Sequence, residues 1–227
     1  MEIKGQIKLD IHTLKRYFDV IAVMVGMVVM APVIFITAVV MAIATRSFPL
    51  FRQERIGKGG ISFMILKVKT MTDERDRKGH LLPEEQRTPL FGKFVRKVHL
   101  DELPQLVNIL SGEMSVVGPR PFLSTETVIV HDSMRQLVRP GLTGLAQISG
   151  NNNLPRSEVL RLDHQYVNYM LRAPLYRALA EDLRIVAMTP FGIVRHFNSP
   201  HFRPADHTKN SPDQQVGFGQ RMSLSCR

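Results

Sequence analysis

Twenty-five consecutive residues, from Val20 to Ala44, carry no charged side chain. Valine, isoleucine, methionine and alanine dominate the run. As a helix it would be roughly 37 Å long, against a bilayer hydrocarbon core of about 30 Å. A buried core helix of a soluble protein seldom goes so far without a charge. A cleaved signal peptide has a basic start and an A-x-A site, for which Ala42-Ile43-Ala44 could stand, but its apolar region is much shorter. Pro32 sits in the middle of the run. An interior proline removes a backbone hydrogen bond and clashes with the preceding turn, which predicts a kink. Each half is then about 18 Å, enough to enter and return but not to cross. Both flanks are basic: Lys4, Lys8, Lys15 and Arg16 before the run, Arg46, Arg52, Arg55 and Lys58 after it. Short Lys/Arg-rich flanks favour the cytoplasmic side. A re-entrant helix therefore fits better than a span, and a kinked span is the alternative. Thr37 or a neighbouring helix could satisfy backbone groups freed at the break.

The rest of the 227-residue chain is ordinary in hydrophobic content at 44%, which excludes a mostly disordered protein. One cysteine, Cys226, excludes an intrachain disulfide framework and multi-cysteine metal sites. Thirty basic residues against 20 acidic give a formal charge of +10 and point to a polyanionic partner. The charge is not evenly spread. Residues 45–70 carry six basic side chains and one acid, and residues 87–100 carry Arg87, Lys93, Arg96 and Lys97 with no acid. Residues 71–86 are net negative and read as a solvated loop.

The pattern predicts an α+β fold, mainly helical. Residues 48–52 and 61–68 look like short strands joined by the Gly57-Lys58-Gly59-Gly60 turn signal, a small β-hairpin. Residues 104–110 read as a helix opened by Pro104. Helical periodicity continues over 125–138, 157–171 and 175–188, as amphipathic helices. The expected organisation is a basic segment 1–16, a re-entrant membrane helix 17–45, a cytosolic domain 46–196 and a disordered polar tail 197–227.

Four constellations could carry chemistry. Asp101 and Glu102 are adjacent carboxylates just ahead of the Pro104 helix. Neighbouring positions do not face one another on a helix, so they can take different tasks at one site. Taken alone, the pair reads equally well as acids complementing a helix dipole. Arg120 stands between Pro119 and Pro121. The prolines restrict the backbone, and a fixed guanidinium suits phosphate. Lys67 and Lys69 share one face of the predicted strand. In Arg139-Pro140-Gly141-Leu142-Thr143-Gly144 the glycines allow close backbone approach to an anion. The eight histidines show no metal-binding spacing, and neither a Walker phosphate loop nor a G-x-S-x-G elbow is present. The basic patches lack interleaved aromatics, which disfavours nucleic acid.

The order of these motifs resembles the bacterial sugar transferase family, the monotopic phosphoglycosyl transferases. The likeness rests on Lys15-Arg16-Tyr17-Phe18-Asp19, Phe51 to Gly57, Leu66 to Met71, Arg96-Lys97, Asp101 to Leu106, Asn108, Gly112, Met114 to Pro121 and Arg139 to Gly144. It covers about residues 13–195 and looks like the short catalytic form. The resemblance implies transfer of a sugar-1-phosphate from a UDP-sugar to polyprenyl (undecaprenyl) phosphate, with UMP released. That is the first membrane step of exopolysaccharide or O-antigen-type synthesis. It implies Mg²⁺, a re-entrant helix, and a catalytic domain on the cytoplasmic side of the bacterial inner membrane, against the anionic headgroups of the inner leaflet. Asp101 matches the family's nucleophile and Glu102 its acidic neighbour, both candidates for holding the metal. Lys67, Arg96 and Arg120 match basic positions around the phosphates, and Pro119, Pro121 and Arg139 are taken with them as substrate-binding positions. Three departures stand out: Ala31 precedes Pro32 where the family often has serine, Lys69 replaces a commoner arginine, and Asn151-Asn152-Asn153 follows Ser149-Gly150. Galactose and glucose are the sugars analogy suggests. Oligomeric state is not legible, and a homodimer is one option.

Overall fold

A computed structural model describes residues 11–124, 132–150 and 154–197. The polar tail beyond residue 197, the first ten residues with Lys4 and Lys8, Asn151 to Asn153 and Cys226 lie outside the described residues.

Helix α1, Ile11–Thr45, contains the whole apolar run and is assigned as one helix through Pro32. It is long and apolar enough to cross a membrane, by length and composition. One stripe of it is buried: Asp19, Val23, Thr37, Met41 and Thr45. The opposite face, including Ile21, Val25, Val28, Phe35, Ile36 and Ile43, is exposed. The stripe meets the rest of the chain near both ends. Close to the N-terminus, Asp19 accepts hydrogen bonds from Ser115 Oγ at 2.7 Å and Val116 N at 3.3 Å, and Lys15 pairs with Asp182. Toward the C-terminus, Met41 packs with Val68 and Val95.

The predicted hairpin forms, shifted toward the turn. Strands β1, Leu50–Ile56, and β2, Ser62–Val68, pair antiparallel with Leu50 opposite Val68 and Ile56 opposite Ser62. The tip holds Gly59 and Gly60 at φ of +70° and +76°, a left-handed conformation that glycine adopts without a Cβ penalty. The segment 71–86 is irregular, and short α2, Glu84–Arg87, closes it. Helix α3, Leu90–Lys97, follows, then a 3-10 turn at Leu100–Glu102 and α4, Gln105–Leu110. A second sheet pairs β3, Ser115–Val117, parallel with β4, Gly141–Thr143. Strands of three residues leave too short a pattern to be read from sequence.

Three helices complete the fold: α5, Leu145–Ser149, α6, Arg156–Arg172, and α7, Leu175–Phe197. The predicted helices over 157–171 and 175–188 are present, and the second continues through Pro190. The helix expected over 125–138 is corrected in its described part. Residues 132–138 form a turn and a single 3-10 turn at Arg135–Leu137. The Asp132 carboxylate accepts from Met134 N at 3.2 Å, a local contact that competes with the helical ladder. One core cluster joins Val117, Val138, Tyr166, Val167, Met170, Ala178 and Ile185; another joins Val23 of α1 to Phe63, Ile65, Leu106, Ile109 and Met114. The second cluster ties the apolar helix directly to the hairpin and to α4.

Candidate active site

Asp101 and Glu102 lie in the 3-10 turn that precedes α4, and both are buried. The chain enters this turn through His99, whose φ of +59° is left-handed, uncommon outside glycine and asparagine-like residues. It leaves through Pro104, in helical conformation just before Gln105. Pro104 supplies a fixed φ where no backbone donor is needed.

Lys67 reaches the carboxylates because of the pleat of β2. Alternation puts Lys67 on the same face as buried Phe63 and Ile65. That face packs against α4, so the last residue of the series meets the turn before it. Asn108 of α4 fixes the two elements: Leu66 N donates to Asn108 Oδ1 at 3.0 Å, and Asn108 Nδ2 donates to Met64 O at 2.8 Å. Lys67 Nζ then donates to Glu102 Oε1 at 2.8 Å, Arg120 Nη2 lies 3.1 Å from the same oxygen, and His99 Nδ1 is 3.8 Å from Oε2. Burial opposes ionisation of Glu102, but Lys67, Arg120 and His99 outweigh it and hold the carboxyl well below the usual range. Asp101 goes the other way. Burial first, and the Glu102 charge second, raise its affinity for a proton, with Lys67, His99 and Arg96 partly offsetting them. Adjacent acids thus have opposed environments, a pattern associated with divided chemical roles.

The 119–122 backbone that carries Arg120 is held at every carbonyl. Pro119 O accepts from Gly141 N at 2.9 Å and Phe122 O from Ile56 N at 3.2 Å. Pro121 O accepts from buried Arg55 Nη1 at 3.1 Å, and Arg120 O accepts from Arg135 Nη2. Pro119 and Pro121 thus act through the backbone they stiffen.

Arg139, expected among the substrate-binding positions, engages the protein's own backbone. Arg139 Nε donates to Gly112 O at 2.8 Å. Arg16 holds Ile109 O and Leu110 O. Together they satisfy carbonyls at and just beyond the C-terminal end of α4, and Arg139 is not among the groups around Glu102. The glycines that follow it approach protein backbone: a Cβ on Gly141 would meet Gly118 N at 2.1 Å. This closeness lets β3 and β4 pair. Arg96 forms an ion pair with Glu84 and stays near enough to act on Asp101. Lys69 pairs with exposed Asp73 beyond the end of β2. His99, Arg55 and Arg135 were not legible as site residues, because their roles come from a backbone turn and from long-range carbonyl contacts.

No cluster of three or more acidic, histidine or cysteine side chains suited to a metal occurs among the described residues. An ion of the Mg²⁺ kind commonly takes one or two carboxylates and completes its shell with water and substrate phosphates, and Asp101 and Glu102 are the two carboxylates this turn supplies. Beside them opens a largely apolar groove of about 320 Å³, with Glu102, His99 and Arg120 in its wall and Leu103, Ile148 and Val186 among its apolar lining.

The sequence model described as bacterial sugar transferase matches residues 11–196. A Bacillus subtilis protein named uncharacterized sugar transferase EpsL is 41% identical over 157 residues, 68% of this chain and 78% of that one. The exopolysaccharide production protein ExoY of Rhizobium meliloti is 37% identical over 71% of this chain and 80% of its own length. A Caulobacter vibrioides protein named UDP-glucose:undecaprenyl-phosphate glucose-1-phosphate transferase is 35% identical over 77% of this chain and 67% of its own. The chain belongs to the bacterial sugar transferase family, and it is a transferase.

Proposed function

We propose that the protein transfers a sugar-1-phosphate, a hexose such as galactose or glucose, from a UDP-sugar to undecaprenyl phosphate, as the first membrane step of an exopolysaccharide-type glycan. The observation that carries the reading is the buried Asp101 beside a Glu102 that gathers Lys67 and Arg120. Asp101 attacks the β-phosphorus of the donor. The bond from that phosphorus to the UMP oxygen breaks, and UMP leaves with the electron pair. The result is an aspartyl-phosphosugar. A phosphate oxygen of the polyprenyl acceptor then attacks the same phosphorus and returns Asp101 as carboxylate. The raised proton affinity of Asp101 makes it a better nucleophile once ionised. Glu102 stays ionised and orients Lys67 and Arg120, whose charges face the anion that develops at the phosphoryl oxygens. Asp101 and Glu102 would hold Mg²⁺, which supplies charge neutralisation for a diphosphate.

The groove offers apolar surface for an isoprenoid chain with its phosphate toward Arg120. We place α1, which runs as one helix through Pro32, in the inner leaflet without crossing it, as a re-entrant element with the catalytic domain in the cytoplasm. The support is physical. Lys15 and Asp19 near its start and Met41 near its end bind the same body, so a straight crossing would draw that body into the bilayer. A panel of UDP-sugars with undecaprenyl phosphate, Mg²⁺ and detergent-purified protein tests the reading. One or more donors should yield UMP only with the wild-type chain. UMP release undiminished by Asp101→Asn, or absent with every donor, contradicts it.

A further inference from the structure

The arginine that carries Arg120's backbone has a second anchor outside the site. Arg135 stands in the 3-10 turn Arg135–Leu137 and is nearly buried. Its Nε donates at 2.9 Å to Asp163 Oδ2 on α6, one of the most deeply buried side chains of the protein. Its Nη2 donates to Arg120 O. Its guanidinium lies 3.9 Å from the centre of the Phe122 ring. One planar group thus touches residues 120 and 122 of a single stretch while tied to a helix on the far side. Arg120 in turn lies 3.1 Å from Glu102.

A buried aspartate that serves only the core is costly, since an ion pair removed from water recovers its desolvation only with good geometry and further hydrogen bonds. Here the pair is arranged so that another donor of the same guanidinium, Nη2, reaches a carbonyl of the active segment. Pro119 and Pro121 cannot donate backbone hydrogen bonds, so the segment cannot secure itself in a regular ladder. Its register relies on donors brought from elsewhere: Gly141 N, Ile56 N, Arg55 and Arg135. Of the two side-chain donors, Arg135 holds the carbonyl of the residue whose guanidinium meets Glu102. A guanidinium can donate in two directions while stacking on a ring; an ammonium cannot reproduce that planar fork.

We infer that Arg135, anchored by Asp163, is a positioning residue that sets the Arg120 guanidinium against Glu102 and the donor diphosphate. This rests on the phosphoglycosyl transfer reading for its kinetic consequence, though not for its structural one. The test is a double-mutant cycle on UMP release, with Arg135→Gln and Asp163→Asn each made in the wild-type and in an Arg120→Lys background. If Arg135 acts through Arg120, either change lowers kcat about tenfold in the wild-type background and about twofold or less with Arg120→Lys present, because contacting residues of one network are non-additive. Equal losses in both backgrounds overturn the inference, since a general structural defect acts whatever occupies position 120. Amide hydrogen exchange at Gly141, whose N–H donates to Pro119 O of the segment, gives a readout independent of turnover. Asp163→Asn, which keeps the side-chain volume, should raise exchange there while the hairpin 50–68 keeps its protection. Unchanged exchange at Gly141, or loss spread evenly over the protein, overturns it. A wild-type chain that releases no UMP defeats the functional reading alone, and the exchange result still decides the role of Arg135.

Discussion

At the scale of single residues, Glu102 organises the site by being the acid that stays charged. Lys67 and Arg120 share its Oε1, and each would be a poorly placed cation without it. Asp101 differs only in having less of that company. Its raised pKa sets a pH dependence. Asp101 is ionised only above a value higher than the ordinary 3.8 of an aspartate, so if it is the nucleophile as proposed, kcat/KM should climb with pH along an acid limb displaced upward. His99 favours the ionised form. His99→Asn keeps a residue that tolerates left-handed φ and should move the limb to still higher pH; a limb that stays in place would remove His99 from the site. For stability the sign is opposite. Between 3.8 and the raised value, native Asp101 holds a proton that the unfolded chain has released, so this group's contribution falls as pH rises. Sequence pattern exposed Asp101, Glu102, Lys67 and Arg120 as candidates, because charged residues next to prolines and at a strand end are visible in one dimension. It could not separate Arg139 from them, since only the fold brings that guanidinium to Gly112 O.

At the scale of elements, α4 is a short helix tied down over its second half. Asn108 pins it to β2, Arg16 takes its last carbonyls, and Arg139 holds Gly112 O in the turn just beyond. Its N-terminal approach carries the two acids, so looseness anywhere in α4 would reach the site. Arg139→Gln removes a charge-assisted bond to Gly112 O and should cost about 1–2 kcal/mol of stability by thermal or chemical unfolding. With Arg139 engaged at Gly112 O and outside the group around Glu102, the KM for the donor should stay within about twofold; a large rise in KM at unchanged stability would place Arg139 in the binding site. The hairpin and the long helices were legible because each has a repeat of two or 3.6 residues over enough length. The parallel β3–β4 pair was not. It depends on Gly118 and Gly141 allowing two backbones to close, with Ser115 opposite Gly141 and Val117 opposite Thr143, and no periodic signal survives in three residues.

At the scale of the whole molecule, the apolar helix and the catalytic body are one packed unit. Val23 shares a core with Leu106 and Ile109 of α4, and Met41 shares another with Val95 of α3. The opposite face of α1 is exposed along the apolar run, the face the proposal turns to lipid. On the proposed function, the formal charge of +10 would act at a surface where headgroups, a diphosphate and a lipid phosphate meet. Cysteines introduced at exposed Thr13 and Phe48 should label from the same side of sealed vesicles; labelling from opposite sides would establish a crossing helix. The central claim is chemical, that Asp101 carries the sugar phosphate between donor and acceptor. Intact-mass and peptide mass spectrometry of the purified protein, incubated with an active UDP-sugar and no polyprenyl phosphate, tests it most directly. The account predicts a burst of UMP no larger than one per protein, with a sugar-phosphate adduct on the peptide containing Asp101 that polyprenyl phosphate then removes. No adduct, and no UMP until the acceptor is added, would contradict it.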